Sequence, residues 1–184
     1  MSKKYRTILA DPPWQQKMMG SYLLSKNLRP AQLVYPTMPL DSIKLLPVGE
    51  LAEEGAHLWL WVTNEFLRAG FDVLDAWGFT YLAPITWVKP SGCGNYFVHR
   101  TEHILFGYKG KCVFNRGRYV PNVYTWPRPG KHSAKPAESY RLIESISDEP
   151  RLELFARPVT PMFPKVPGWD TWGNEMEPDV ALEA

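Results

Sequence analysis

The chain has 184 residues, 45% hydrophobic, 14% aromatic and 22% charged, with a formal net charge of +2. That length suits one globular domain burying roughly two-thirds of its unfolded surface, here taken as residues 1–184. No stretch approaches the ~20 continuous apolar residues of a membrane span, and Met1-Ser2-Lys3-Lys4 leads into a strand without a signal-peptide core, so a cytoplasmic protein with no membrane partner is expected.

The first predicted element is a buried strand over Tyr5–Ala10. Asp11-Pro12-Pro13-Trp14 follows it directly. Each proline pushes the residue before it into extended geometry and lacks an N–H, so the chain leaves the strand as a stiff elbow. The elbow offers acceptors, the Asp11 carboxylate and the Pro12 carbonyl, with few competing donors. An exocyclic NH2 on a planar ring would satisfy both while Trp14 stacks on its face, as for an extruded nucleobase. The competing reading is an ordinary strand-ending turn with Trp14 in the core beneath it.

Residues 56–63 read as a second strand, and a helix follows over about 64–77, capped by Thr63 or Asn64 and stopped by Gly78. A third strand spans 79–89, bent at Pro84, and a fourth 103–108. Pro136 suits the first turn of a helix reaching about Ser147, and 151–156 gives a last strand. Strands alternating with helices predict an α/β fold, a mainly parallel sheet with helices on both faces, whose ligands bind at the carboxyl ends of the strands. Asp11, Asn64, Lys89 and Arg157 fall near those ends. The long irregular stretches are 15–39, 90–100 and 110–135.

Charge is unevenly spread. Between Glu102 and Glu138 there is no acidic residue, while Lys109, Lys111, Arg116, Arg118, Arg128, Lys131 and Lys135 alternate with Tyr108, Phe114, Tyr119, Tyr124 and Trp126. This pattern suits a polyanion with stacking platforms; a solvated basic loop is the plainer alternative. The acidic C-terminus, residues 175–184, reads as a frayed tail. Cys93 and Cys112 lie far apart without metal-ligand spacing, so neither a disulfide framework nor a metal is expected.

The motifs Asp11-Pro12-Pro13-Trp14, Leu60-Trp61-Val62-Thr63, Thr86-Trp87-Val88-Lys89, Ser133-Ala134-Lys135-Pro136, Glu153-Leu154-Phe155-Ala156-Arg157-Pro158 and Gly173-Asn174 occur in this order. Together they resemble the family named for the seventy-kilodalton MT-A subunit of the mRNA adenine-N6 methyltransferase, over nearly the whole chain. The resemblance implies a Rossmann-like fold dependent on S-adenosylmethionine, in which the catalytic motif precedes the cofactor motif. It implies a nucleic-acid adenine as substrate, DNA favoured over RNA because the chain is minimal.

By the same resemblance Asp11, Pro12, Pro13 and Trp14 are catalytic, and Asp11, Lys135, Arg157, Asn174 and Glu175 serve the cofactor. Lys135 would reach its methionine carboxylate, and Arg157 and Asn174 its ribose. On the substrate side Tyr35 would help order the catalytic loop, Trp61 and Trp87 would line the base or methyl-donor cleft or else be plain core, and Lys89 and Glu102 would lie beside the target base, while the basic stretch puts Arg116, Arg118 and Lys131 on the polyanion. Glu175 stands where the family often has Gln, which removes a donor near the cofactor's adenine. A homodimer or a partner subunit completing the site stays open. So do two other functions, a catalytically silent nucleic-acid-binding subunit and a methyltransferase for a protein or small-molecule amide.

Overall fold

The computed structural model describes residues 3–15, 36–94, 96–114, 119–129, 134–158, 165–173 and 177–182. Its strands are β1 (Tyr5–Ala10), β2 (Ala52–Thr63), β3 (Thr80–Cys93), β4 (His99–Tyr108), β5 (Val123–Tyr124), β6 (Arg151–Leu154) and β7 (Trp169–Trp172). Its helices are α1 (Leu40–Leu45), α2 (Val48–Leu51), α3 (Leu67–Ala76) and α4 (Ala137–Ile146). The strands form one sheet in the order β5-β3-β4-β2-β1-β6-β7. β1 is parallel to β2 and β6, β6 to β7 and β3 to β5; only β4 reverses, running antiparallel to β2 and β3. The sheet is mixed with parallel pairings in the majority, the Rossmann-like α/β arrangement the alternation of elements predicts.

Successive side chains of a strand point to opposite faces, so a doubly covered strand must be apolar at every position. Ile8, Ala10, Leu58, Leu60, Val62, Leu105, Leu152 and Leu154 enter one core with Ile43 of α1, Leu51 of α2, and Val73 and Leu74 of α3. Leu9, Trp59, Trp61, Ile104 and Phe106 enter the other, closed by Ile143 and Ile146 of α4. The chain thus leaves β1 for its neighbour β2 over one face and reaches its other neighbour, β6, over the opposite face. The carboxyl end of β1 is the switch point of the sheet, where open α/β sheets bind ligands.

Several expectations need correction. β2 starts at Ala52 rather than Ala56, because Glu53 is half-buried and Glu54 exposed, positions that an apolar count passes over. The helix after it opens as a 3-10 turn over Asn64–Phe66, and Thr63 makes no side-chain cap. Pro136 precedes α4 as its N-cap instead of sitting in the first turn. Residues 90–100 are not an irregular loop: β3 runs through Pro90 to Cys93 and β4 begins at His99, forming a hairpin. The strand beginning at Arg151 is not the last, since β7 pairs beside it. Nor is the C-terminus frayed where it is described. Leu182 is buried in the first core, and the Asp179 carboxylate accepts hydrogen bonds from the Thr171 N–H and hydroxyl, both at 2.8 Å, and from Lys165 at 2.7 Å. Composition suggested solvent, but one well-placed acceptor and one leucine dock the segment. No helix among the described residues is long and apolar enough to cross a membrane.

Candidate active site

Asp11 is the first residue beyond β1, and its carboxylate remains 34% exposed at the switch point. Lys135, just before α4, places its Nζ 3.1 Å from Asp11 Oδ1 and 3.4 Å from Glu102 Oε2. Glu102 in turn takes Lys89 Nζ at 2.9 Å on Oε1. Lys89 meets Glu102 because Trp87 stands opposite Glu102 in the β3–β4 ladder, and Lys89, two residues on, shares its face. Segments distant in sequence therefore deliver two carboxylates and two ammoniums to one spot.

Beneath them Trp61 forms the floor. Its ring lies 5.1 Å from Lys135 Nζ, close enough for a cation–π contact, and packs edge-on against Trp87 at 6.2 Å. The Trp61 Nε1 is buried without a hydrogen-bond partner among the described residues. Trp87 instead donates to the Trp126 carbonyl, 2.9 Å, and is a core residue.

Burial raises the Asp11 carboxyl above its ordinary value, against the opposing pull of Lys135. Burial alone would also raise Glu102, but Lys135 and Lys89 outweigh it and hold that carboxyl low. Burial alone would lower Lys135; the Asp11 and Glu102 carboxylates outweigh it and raise the ammonium. The result is a firmly charged Lys135 and Glu102 beside an aspartate that titrates late.

The elbow is built differently from its sequence reading. Trp14 is buried, stacked on Phe66 at 5.4 Å and 12°, with its Nε1 donating to the Trp61 carbonyl at 3.2 Å. It anchors the elbow to the core and does not stand open as a plate for a base. The Pro12 carbonyl already accepts the Trp14 N–H at 2.8 Å, which leaves one lone pair, and the Pro13 carbonyl accepts from Met38 at 2.8 Å. The Asp11 carboxylate, engaged by Lys135 through Oδ1, is thus the acceptor of the motif with the most capacity left.

A third acidic group escaped the sequence reading. Glu153 on β6 pairs beside Leu9, and its Oε1 accepts the Tyr140 hydroxyl at 2.7 Å. Burial raises the Glu153 carboxyl, the Tyr140 bond lowers it, and the charges of Asp11 and Arg157 reach it as well. Tyr140, four residues after Pro136 on a helix, carried the one available signal: a polar tip on an otherwise apolar face. On the far side of the mouth, the Asn64 amide donates to the Thr101 carbonyl at 2.9 Å. His103 Nε2 lies 3.2 Å from Asn64 Oδ1, and His103 Nδ1 lies 3.1 Å from the Thr86 hydroxyl. Burial lowers the His103 imidazole, so this neutral brace fixes the start of β4 next to Glu102.

The structure brings together Asp11, Lys135, Glu102, Lys89 and Trp61, with Arg157 past the end of β6. Tyr35, Arg116, Arg118, Lys131, Asn174 and Glu175 lie outside the described residues. The interleaved aromatic pattern is largely core: Phe114 packs on His57 and Phe106, and Tyr124 stacks on Trp126 at 4.6 Å. Lys109 is spent internally, donating to the Gly49 carbonyl at 2.6 Å. Tyr119 alone of these rings stands fully exposed. A cavity of about 730 Å³ opens at the amino ends of β1, β6 and β7, away from Asp11. Its charges are already paired, Lys3 with Asp170, Arg151 with Glu149 and Lys165 with Asp179, and it is no part of this site.

The family described as MT-A70 matches residues 5–175. The chain belongs to the MT-A70 family. Among MT-A70 relatives, it is 32% identical over 185 residues to the N(6)-adenosine-methyltransferase subunit METTL3 of Danio rerio, an alignment covering 95% of this chain and 28% of that one. It is 31% identical over 185 residues to the N(6)-adenosine-methyltransferase catalytic subunit METTL3 of Homo sapiens, with 95% and 28% covered. The Type II methyltransferase M.MunI of Mycoplasma sp is 31% identical over 199 residues, covering 98% of this chain and 81% of the relative. This MT-A70 chain thus spans little more than a quarter of METTL3 but most of M.MunI.

Proposed function

We propose that this chain transfers a methyl group from S-adenosylmethionine to the exocyclic amine of adenine in nucleic acid, with DNA as the substrate. The observation that carries the reading is the ionised cluster of Asp11, Lys135 and Glu102 at the switch point of the sheet. An adenine amine is a poor nucleophile because its lone pair is delocalised into the ring. Acceptors that hold its hydrogens favour the pyramidal nitrogen and stabilise the positive charge that develops on it. Asp11 and the remaining lone pair of the Pro12 carbonyl would supply those acceptors, and Asp11 would take the proton the product nitrogen sheds.

The residues present fit the cofactor. Its amino-acid end carries a carboxylate and an ammonium, and the site offers Lys135 and Asp11 side by side, 3.1 Å apart, above a spare buried donor on Trp61. Lys135 would take the carboxylate through a charge-assisted bond, and Arg157 would lie toward the ribose. When bound, S-adenosylmethionine supplies an electrophilic methyl on a sulfonium. The chain's own residues orient the amine, neutralise the surroundings and exclude side reactions, so alignment provides much of the rate.

The similarity along 81% of the Type II methyltransferase M.MunI is what supports DNA over RNA. The test is transfer of tritiated methyl from S-adenosylmethionine to DNA and RNA, followed by nucleoside analysis. N6-methyladenine in DNA is expected; label confined to RNA would reassign the substrate, and label in neither would end the reading.

A further inference from the structure

Beyond the Lys89–Glu102 pair the two antiparallel strands continue, β3 to Cys93 and β4 back from His99, and lift a tip clear of the sheet. Its shape is built in. A Cβ at Gly92 would lie 2.3 Å from the His99 carbonyl oxygen, and one at Gly94 would lie 1.9 Å from that of Phe97, so the arms close only because both positions are glycine. Closure turns Tyr96, Phe97 and Val98 outward, 94%, 80% and 63% exposed. Large apolar side chains gathered at one exposed point mark a contact site.

The surroundings say what it contacts. Residues 91–101 contain no acidic residue. Arg100 lies on one arm, its Nε donating to the Lys89 carbonyl at 3.2 Å, and Arg128 Nη1 stands 3.5 Å from the Ser91 hydroxyl on the other. Guanidiniums flanking apolar points suit a nucleic acid, whose phosphates take the cations and whose base steps admit apolar wedges. A protein partner fits less well: two aromatic rings and a valine cover ~500 Å² at most, against the ~800 Å² per partner of a stable interface. An extruded base moves sideways from its stack, so an element entering the vacated step must stand proud of the pocket that receives the base. At ~3.3 Å per residue the tip rises ~15 Å past Glu102.

We propose that the β3–β4 hairpin is a wedge, with Tyr96 and Phe97 entering the base stack of a duplex and holding open the gap left by an adenine drawn toward Asp11. The inference rests on the methyltransferase reading above. Single strands need no wedge, and that contrast supplies the test.

Methyl transfer to unmethylated genomic DNA, native and heat-denatured, is measured for the wild type and for the double variant Tyr96→Ala, Phe97→Ala, whose fold is checked by circular dichroism and Tm. The duplex rate is expected to fall about tenfold or more while the rate on denatured DNA stays within about twofold. Restoring the rings as Tyr96→Trp, Phe97→Trp returns duplex activity. A duplex-to-single-strand ratio equal in wild type and variant overturns the wedge and leaves the methyltransferase reading intact. Equal loss on both substrates, or a wild type confined to single strands, overturns it likewise. So does light scattering that shows the variant dissociating a wild-type dimer, which would give the tip to a second copy. A wild type that methylates no nucleic acid removes the methyltransferase reading and the wedge with it.

Discussion

In the proposed reaction Asp11 is the residue on which the chemistry turns, because Trp14 is buried and the Pro12 carbonyl is already half engaged. Asp11→Ala should lower turnover by about 10²–10³-fold, the cost of removing one preorganised group aimed at developing charge. Binding of S-adenosylmethionine, followed by calorimetry, should weaken by less than turnover does, since Lys135 still meets the cofactor's carboxylate when the partner of its ammonium is lost. Burial raises the Asp11 carboxyl, and only its ionised form brings a negative charge to the amine and can take up the proton the product sheds. The rate should therefore fall with decreasing pH through a value above the ordinary aspartate 3.8, and that acid limb should vanish in any residual activity of Asp11→Asn. Trp14→Ala, by contrast, should act on stability, losing about 3–5 kcal/mol in urea unfolding as a buried aromatic truncation does. A loss confined to turnover with unfolding unchanged would return Trp14 to the base. The acceptor was legible in sequence because proline chemistry is local; the fate of Trp14 was not, because its partner Phe66 comes from a turn far along the chain.

Among the elements, the strands were the most legible and the hairpin the least. Tyr5–Ala10 matches its expected bounds since every position but Arg6 is buried and Ile8, Leu9 and Ala10 form an unbroken apolar run. β3 and β4 outrun their expected ends because their outer halves are exposed, so the hydrophobic signal stops where pairing continues. β7 was missed because it is four residues long and follows a Pro-rich segment. Its neighbour Gly173 has a steric reason: a Cβ there would lie 2.2 Å from the Ala156 carbonyl oxygen, where β6 and β7 end together. Gly173→Ala should force the two strand ends apart, costing about 1–3 kcal/mol in denaturant unfolding and weakening cofactor binding, since Arg157 follows directly on Ala156. A variant as stable as wild type with unchanged affinity would show that the strand ends yield freely.

Across the whole molecule, charge divides into a docked acidic end and a basic middle. Hydrogen bonds from Lys165 and Thr171 lower the Asp179 carboxyl to about 2, below its ordinary 3.8. The unfolded chain takes up that proton first, so Asp179 contributes stability above pH 3.8 that is lost as the pH falls toward 2. Acid titration of Tm should show this loss in the wild type and its absence in Asp179→Asn. In the basic middle, neutralising Arg116, Arg118 and Lys131 together should weaken DNA binding and flatten the slope of log K against log salt by roughly 0.9 for each phosphate contact removed. An unchanged slope would take those cations off the nucleic acid. The charge asymmetry was plain in sequence, whereas the inward use of Phe114, Tyr124, Trp126 and Lys109 required the fold.

β4, the one reversed strand among the described residues, bears on how the proposed catalyst can vary. A ribbon joined by antiparallel pairing grows or shrinks outward in two-residue steps, keeping the same side chains on the same face. The parallel strands that carry Asp11 and the approach to Lys135 stay untouched by such edits. How far this protein probes beyond its reaction centre is thus a dial separate from the reaction itself, adjustable by insertion at one bend.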